Sequence, residues 1–93
     1  MKKIVIEEEE ADVLIFPNPV DDLLFVHLRP YVGQNCTMQV IDNQGKIRLT
    51  QKVGVVPDDP MMVQVLSLEN GLHYLSVQSK DGVVETYKFV VKH

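Results

Sequence analysis

Three histidines, one cysteine, three serines and two pairs of adjacent aspartates are the side chains of this 93-residue chain that could act as ligands, bases or nucleophiles. His27, His73 and His93 stand at no metal-site spacing with a second His, Cys or carboxylate, and they read as strand or terminus residues facing water. Ser67, Ser76 and Ser79 lack a Gly-x-Ser-x-Gly context, and no His–Asp pairing follows from the spacing. Cys36 shares strand parity with Met38 and Val40, the pattern of a small core residue rather than a nucleophile. As the only cysteine it can form no intrachain disulfide. Asp21-Asp22 and Asp58-Asp59 offer the oxygens that calcium takes from loops, but turns select the same residues. Asn35-Cys36-Thr37 matches the glycosylation sequon, a three-residue pattern that recurs by chance. No catalytic, cofactor-binding or metal-ligating constellation emerges, and the chain reads as a non-enzyme.

The elements that hold these side chains follow from composition. Sixteen Val and five Ile stand against a single Ala, with no Trp. β-Branched residues lose rotamer freedom in helices and fit a pleated, half-buried surface, so an all-helical fold is excluded. A hydrophobic share of 45% excludes disorder. A chain of this length forms one domain burying roughly 60–65% of its unfolded surface, which leaves no room for a deep catalytic cleft. The formal charge is −4, and it is uneven. Residues 1–12 carry five acids, four of them Glu7 to Glu10, against two lysines, while residues 13–93 are nearly neutral. Residues 1–12 therefore read as an acidic linker or leader and 13–93 as the domain. No basic cluster offers itself to nucleic acid. Residues 4–6 are too short for a secretory h-region, which needs about 7–15 apolar residues, and no run approaches the roughly 20 residues of a membrane-spanning helix.

Short apolar runs separated by turn chemistry predict about seven antiparallel strands. Residues 13–16 form a strand stopped by Pro17-Asn18-Pro19, a rigid corner. Residues 23–28 are almost continuously apolar, as a strand covered on both faces would be. Residues 36–42 and 46–52 alternate around Asp42-Asn43-Gln44-Gly45 and predict a hairpin, with Ile47 and Leu49 on one face. Residues 53–60 read as a loop, 61–66 as a strand, and Glu69-Asn70-Gly71 as a turn before a strand over 72–79. Asp81-Gly82 predicts a primed hairpin turn leading to a final strand over 83–91. Strands at roughly 8–12-residue spacing argue an all-β, immunoglobulin-like β-sandwich.

The order of the turns is more specific than any single residue. Phe16-Pro17-Asn18-Pro19 opens the domain, Asp42-Asn43-Gln44-Gly45 sits centrally, Gly71-Leu72-His73-Tyr74 follows, and the chain ends in Tyr87-Lys88-Phe89-Val90-Val91-Lys92-His93. This ordered set resembles the C-terminal sorting domain of cargo proteins of the type IX (Por) secretion system. That family shows an aromatic-Pro-Asn-Pro opening, a central Asp-x-x-Gly hairpin, a Gly-x-Tyr motif and a basic residue at or beside the terminus. The chain departs from the pattern in Glu69-Asn70 before Gly71, in the Asp- and Pro-rich stretch 53–60, and in a His after the final Lys.

The resemblance implies a non-catalytic secretion signal at the end of a larger precursor, its cargo domain lying N-terminal and Met1 not being the precursor's own start. It implies export through the periplasm to the outer membrane, cell surface or extracellular space, with the outer-membrane translocon and a sortase as partners. Under it, Gly71, Tyr74 and the terminal strand Tyr87, Lys88, Phe89, Val90, Val91 and Lys92 are the expected recognition residues. Pro17, Asn18, Pro19, Asp42 and Gly45 are structural landmarks. Cleavage is expected within residues 7–12, because an exposed polar linker can adapt to a protease where a strand cannot. The final strand is expected to present an open edge, which could add a partner strand or pair two copies. The contrasting expectation is an adhesion or carbohydrate-binding accessory module. Its sugar platform would need loop aromatics, and Tyr31, beside Pro30 and near Gly33, is the one that reads as lying in a loop.

Overall fold

The computed structural model describes residues 12–93. The expected leader, the apolar triplet at 4–6 and the cleavage segment, apart from Asp12, lie outside the described residues. Seven strands form in chain order: β1 (Leu14–Phe16), β2 (Leu23–His27), β3 (Asn35–Asp42), β4 (Ile47–Val55), β5 (Met61–Gln64), β6 (Gly71–Ser79) and β7 (Val84–Val91). Among the described residues the one helical element is a 3₁₀ turn at Arg29–Tyr31. The strands make an antiparallel three-stranded sheet in the order β1-β2-β5 and an antiparallel four-stranded sheet in the order β4-β3-β6-β7.

The core fills the space between the two inner faces. Leu24, Val26 and Val63 come from one sheet and Met38, Val40, Leu75, Val77, Phe89 and Val91 from the other. Period-2 alternation explains these positions: β3 buries Cys36, Met38 and Val40, as the pattern predicts. Strand β2 differs from expectation. Leu24 and Val26 are fully buried, whereas Leu23, Phe25 and His27 are only partly covered. The three-stranded sheet has a second sheet on one side only, so outward apolar residues cover each other; Phe25 stacks on Phe16 with centroids 5.6 Å apart.

Strand β4 differs more. It runs to Val55, into the expected loop, and pairs with β3 through two register shifts, between Cys36/Thr37 and between Val40/Ile41. The second shift leaves Arg48 as the extra residue, so Leu49 lies opposite Val40 and Ile47 opposite Ile41. Leu49 packs on the core while Ile47 is 57% exposed, which overturns their expected common face. Strand β5 ends at Gln64, short of the expected Leu66, although the Val65 N–H still donates to Asp22 O at 2.7 Å in register with the β2–β5 pairing.

Both β-hairpins of the larger sheet use three-residue loops. Asp42 N–H donates to Lys46 O and Gly45 N–H to Asp42 O; Ser79 N–H donates to Val83 O and Gly82 N–H to Ser79 O. Among the described residues none other than glycine has positive φ, so Asp81-Gly82 is not the primed turn that its sequence suggests. The geometry is that of a type I turn closed by a left-handed glycine.

Candidate functional site

The four landmarks meet at one end of the sandwich. Strand β3 ends there at Asp42, opposite His73 of β6, and Gly71 at the start of β6 is opposite Val91 near the end of β7. The Pro17-Asn18-Pro19 corner, both of whose prolyl peptide bonds are cis, delivers Asn18 and Val20 to the outer edge of β7. The Asn18 side-chain Oδ1 accepts from Val90 N–H at 2.9 Å. Val20 N–H donates to Val90 O and Val20 O accepts from Lys92 N–H, both at 2.8 Å. The edge of β7 is therefore closed beyond Lys88. Backbone groups alternate in direction along an antiparallel strand, so Val84, Thr86 and Lys88 share Val90's outward parity and form the open part.

Asp42 organises its hairpin. Its Oδ1 accepts from Gln44 N–H and Lys46 N–H, and its Oδ2 from Arg48 Nε–H, each at 2.9 Å. The Lys46 and Gln44 N–H groups, together with the Arg48 guanidinium, hold the Asp42 carboxyl below its ordinary value. That contribution is present at neutral pH and is lost as pH falls through the lowered value.

Gly71 has φ +130°, and a Cβ there would meet nothing within 4 Å. The position demands glycine for its backbone and not for space. Gly71→Ala is accordingly expected to destabilise the domain by about 1–3 kcal/mol, measured by chemical denaturation of residues 12–93.

Outward side chains of the larger sheet form rows. Ile47, Ile41, Tyr74 and Lys88 line up across all four strands, with Leu72 opposite Val90 just beyond. The next rows are Thr50, Gln39, Ser76, Thr86 and Lys52, Thr37, Gln78, Val84. This face exposes apolar side chains toward both ends, Ile47 at 57% and Val90 at 37% at the landmark end and Val84 at 54% and Val55 at 62% toward the other. Within the terminal strand, Lys88, Val90 and Lys92 are exposed, Tyr87 is half-buried, and Phe89 and Val91 lie in the core.

Several residues are placed otherwise than their types suggest. His73 is buried, its Nδ1–H donating to Gly71 O at 3.1 Å and its ring stacked on Phe89. His93 is pinned rather than free in water: its ring nitrogens lie 3.1 Å from Asp21 Oδ1 and 2.6 Å from Leu68 O. The Leu68 carbonyl, seconded by Asp21, raises its pKa above the ordinary imidazole value. Tyr31 is only 6% exposed, so the expected loop aromatic is not displayed. Its hydroxyl and that of Tyr87 both donate to Glu85 Oε1 at 2.6 Å. Burial, with the Glu85 carboxylate beside it, pushes the Tyr31 phenol up to about 12. Burial likewise raises the Cys36 thiol. Ser79, the buried last residue of β6, donates its Oγ–H to Asp81 Oδ1 in the turn that follows. Among the described residues no three His, Cys, Asp or Glu side chains gather as a metal site.

Sequence reasoning missed Asn18, Val20, Asp21 and His93 as a connected group. Asn18 and Val90 are 72 residues apart, and only the preference of Asn for satisfying backbone donors could have pointed to it.

The family model for the secretion system C-terminal sorting domain matches residues 14–92. No curated protein sequence matches the chain. Among solved structures, a DUF3244-family protein with an immunoglobulin-like β-sandwich fold from Bacteroides vulgatus is similar with a TM-score of 0.71. The two are 12% identical, over 90% of this chain and 88% of that one. CopC from Methylosinus trichosporium is similar with a TM-score of 0.55 at 14% identity, over 87% of this chain and 94% of that one. At these identities the likeness establishes the fold alone, an immunoglobulin-like β-sandwich.

Proposed function

The chain belongs to the family of type IX secretion system C-terminal sorting domains, and from that premise we propose that it is a non-catalytic address label whose landmark end is read by the outer-membrane translocon. Its cargo lies N-terminal, and the precursor passes through the periplasm to the outer membrane and cell surface. The observation that carries this reading is the convergence of the Pro-Asn-Pro corner, the Asp42 hairpin, Gly71 and the end of β7 on one end of the sandwich. The opposite end is where the described chain enters: Asp12 O accepts from Arg29 Nε–H at 3.1 Å, near Glu85 and Tyr87 at the start of β7. Cargo attached ahead of Asp12 would therefore leave the landmark end clear.

Tyr74, Lys88, Val90 and Lys92 are the side chains that a partner would touch, and the open backbone of Val84, Thr86 and Lys88 is where it could add a strand. Gly71, Phe89 and Val91 hold that surface in place from within. A sortase would act in residues 7–12, ahead of the packed strands.

The test is a reporter behind a signal peptide and ahead of residues 7–93, expressed in a host with the system. The reporter is expected on the cell surface or in the medium, and N-terminal sequencing of the released domain is expected to place the cut within residues 7–12. Periplasmic retention of a folded fusion contradicts the sorting role, and a cut within residues 23–91 contradicts the cleavage assignment.

A further inference from the structure

Both ring nitrogens of His93 face oxygens that only accept. Nδ1 lies 3.1 Å from the Asp21 carboxylate and Nε2 2.6 Å from the Leu68 carbonyl. A neutral imidazole has one N–H and one lone pair, so either tautomer would aim a lone pair at an oxygen. The imidazolium alone satisfies both. The backbone N–H of the same residue donates to Asn70 Oδ1 at 2.8 Å, and that of Lys92 to Val20 O. One residue thus ties the end of β7 to two separate connections, β1–β2 through Asp21 and β5–β6 through Leu68 and Asn70.

We infer that His93 is a proton-operated clasp that fixes the segment following β7, and with it the exposed Lys92, against the β1–β2 and β5–β6 connections. The charged group facing it from the β1–β2 connection is Asp21. The β5–β6 connection presents the neutral Leu68 carbonyl and Asn70 amide oxygen, with Glu69 between them in sequence, and Lys92 precedes it on its own strand. The sign follows from the geometry. The clasp is closed while His93 is protonated and opens as pH rises through its raised pKa, because loss of the proton turns one hydrogen bond into a lone-pair contact. Val20, 1% exposed, stays in the core in both states and its carbonyl keeps the Lys92 N–H, so opening frees His93 and the Lys92 side chain beside it without unfolding the edge. This deepens the sorting reading by adding a control on how Lys92 is presented, and it rests on that reading for its biological meaning.

The test measures hydrogen-exchange protection factors, already corrected for intrinsic exchange, of the Lys92 and His93 amides in residues 12–93 between pH 5.5 and 8.5. Protection at His93 is expected to fall about three- to tenfold across the titration of its ring, which two-dimensional NMR follows in parallel, while the Lys92 amide, bonded to Val20 O, stays protected. His93→Gln keeps one donor and is expected to give protection independent of pH; Asp21→Asn is expected to lower the ring's pKa. Protection of the β3 and β6 amides reports the fold and is expected to stay constant. Unchanged protection of the His93 amide in the wild-type chain, or the same pH dependence in His93→Gln, overturns the clasp. The measurement involves no export, so its failure leaves the sorting role standing.

Discussion

Phe89→Ala is expected to cost about 3–5 kcal/mol, the range for removing a buried aromatic from a core that cannot collapse around the gap. Phe89 is 1% exposed and among the largest fully buried side chains, on the strand that also carries the exposed landmark residues. Its ring stacks on His73 with centroids 5.8 Å apart, and His73 is opposite it in the β6–β7 register. A domain of this size has a total stability of about 4–12 kcal/mol, so the variant sits close to unfolding. Urea denaturation followed by circular dichroism checks this. Phe89→Leu retains most of the apolar volume and is expected to cost less than about 1.5 kcal/mol. Equal losses in the two variants would mean that Phe89 is not packed as described.

The second large effect is on export without an effect on folding. Tyr74 and Lys88 are directly opposite each other on the outer face, in the row that also holds Ile41 and Ile47. Replacing both with Ala removes one cross-strand pair, worth about 0.2–1 kcal/mol, and leaves the core untouched. If the translocon reads this row, the same change removes an aromatic and a cation from the contact. Loss of two well-buried interface side chains weakens binding by about 2 kcal/mol or more, which corresponds to roughly 30-fold. Lys52→Ala with Gln78→Ala makes an equally mild change two rows away on the same face, where export is expected to be unaffected.

Much of the fold was legible because one rule, period-2 alternation between turn residues, applies to nearly every strand. Cys36, Met38 and Val40 went inward, and Asp42 and Gly45 made the hairpin that their types predict. What was not legible depended on partners distant in sequence. The Arg48 bulge reverses Ile47, and nothing in an alternating run marks where an extra residue will be tolerated. His73 looked like a surface residue until its ring had Phe89 to stack on and Gly71 O to satisfy it. His93 looked free until Asp21 and Leu68 were brought beside it. Tyr31 sits where a loop was expected, but the 3₁₀ turn directs it inward to Glu85. The site shows the same division. Its landmarks could be read from the chain, whereas their convergence, and the closing of the end of the β7 edge by Asn18 and Val20, needed the third dimension.

The most direct measurement is the ratio of surface to periplasmic cargo for three matched fusions: unaltered residues 7–93, Tyr74→Ala with Lys88→Ala, and Lys52→Ala with Gln78→Ala, each first shown to be folded by its thermal melt. The account predicts that the unaltered and Lys52/Gln78 fusions reach the surface equally while the folded Tyr74/Lys88 fusion stays in the periplasm. Equal surface display of all three would contradict the assignment of recognition to the landmark end.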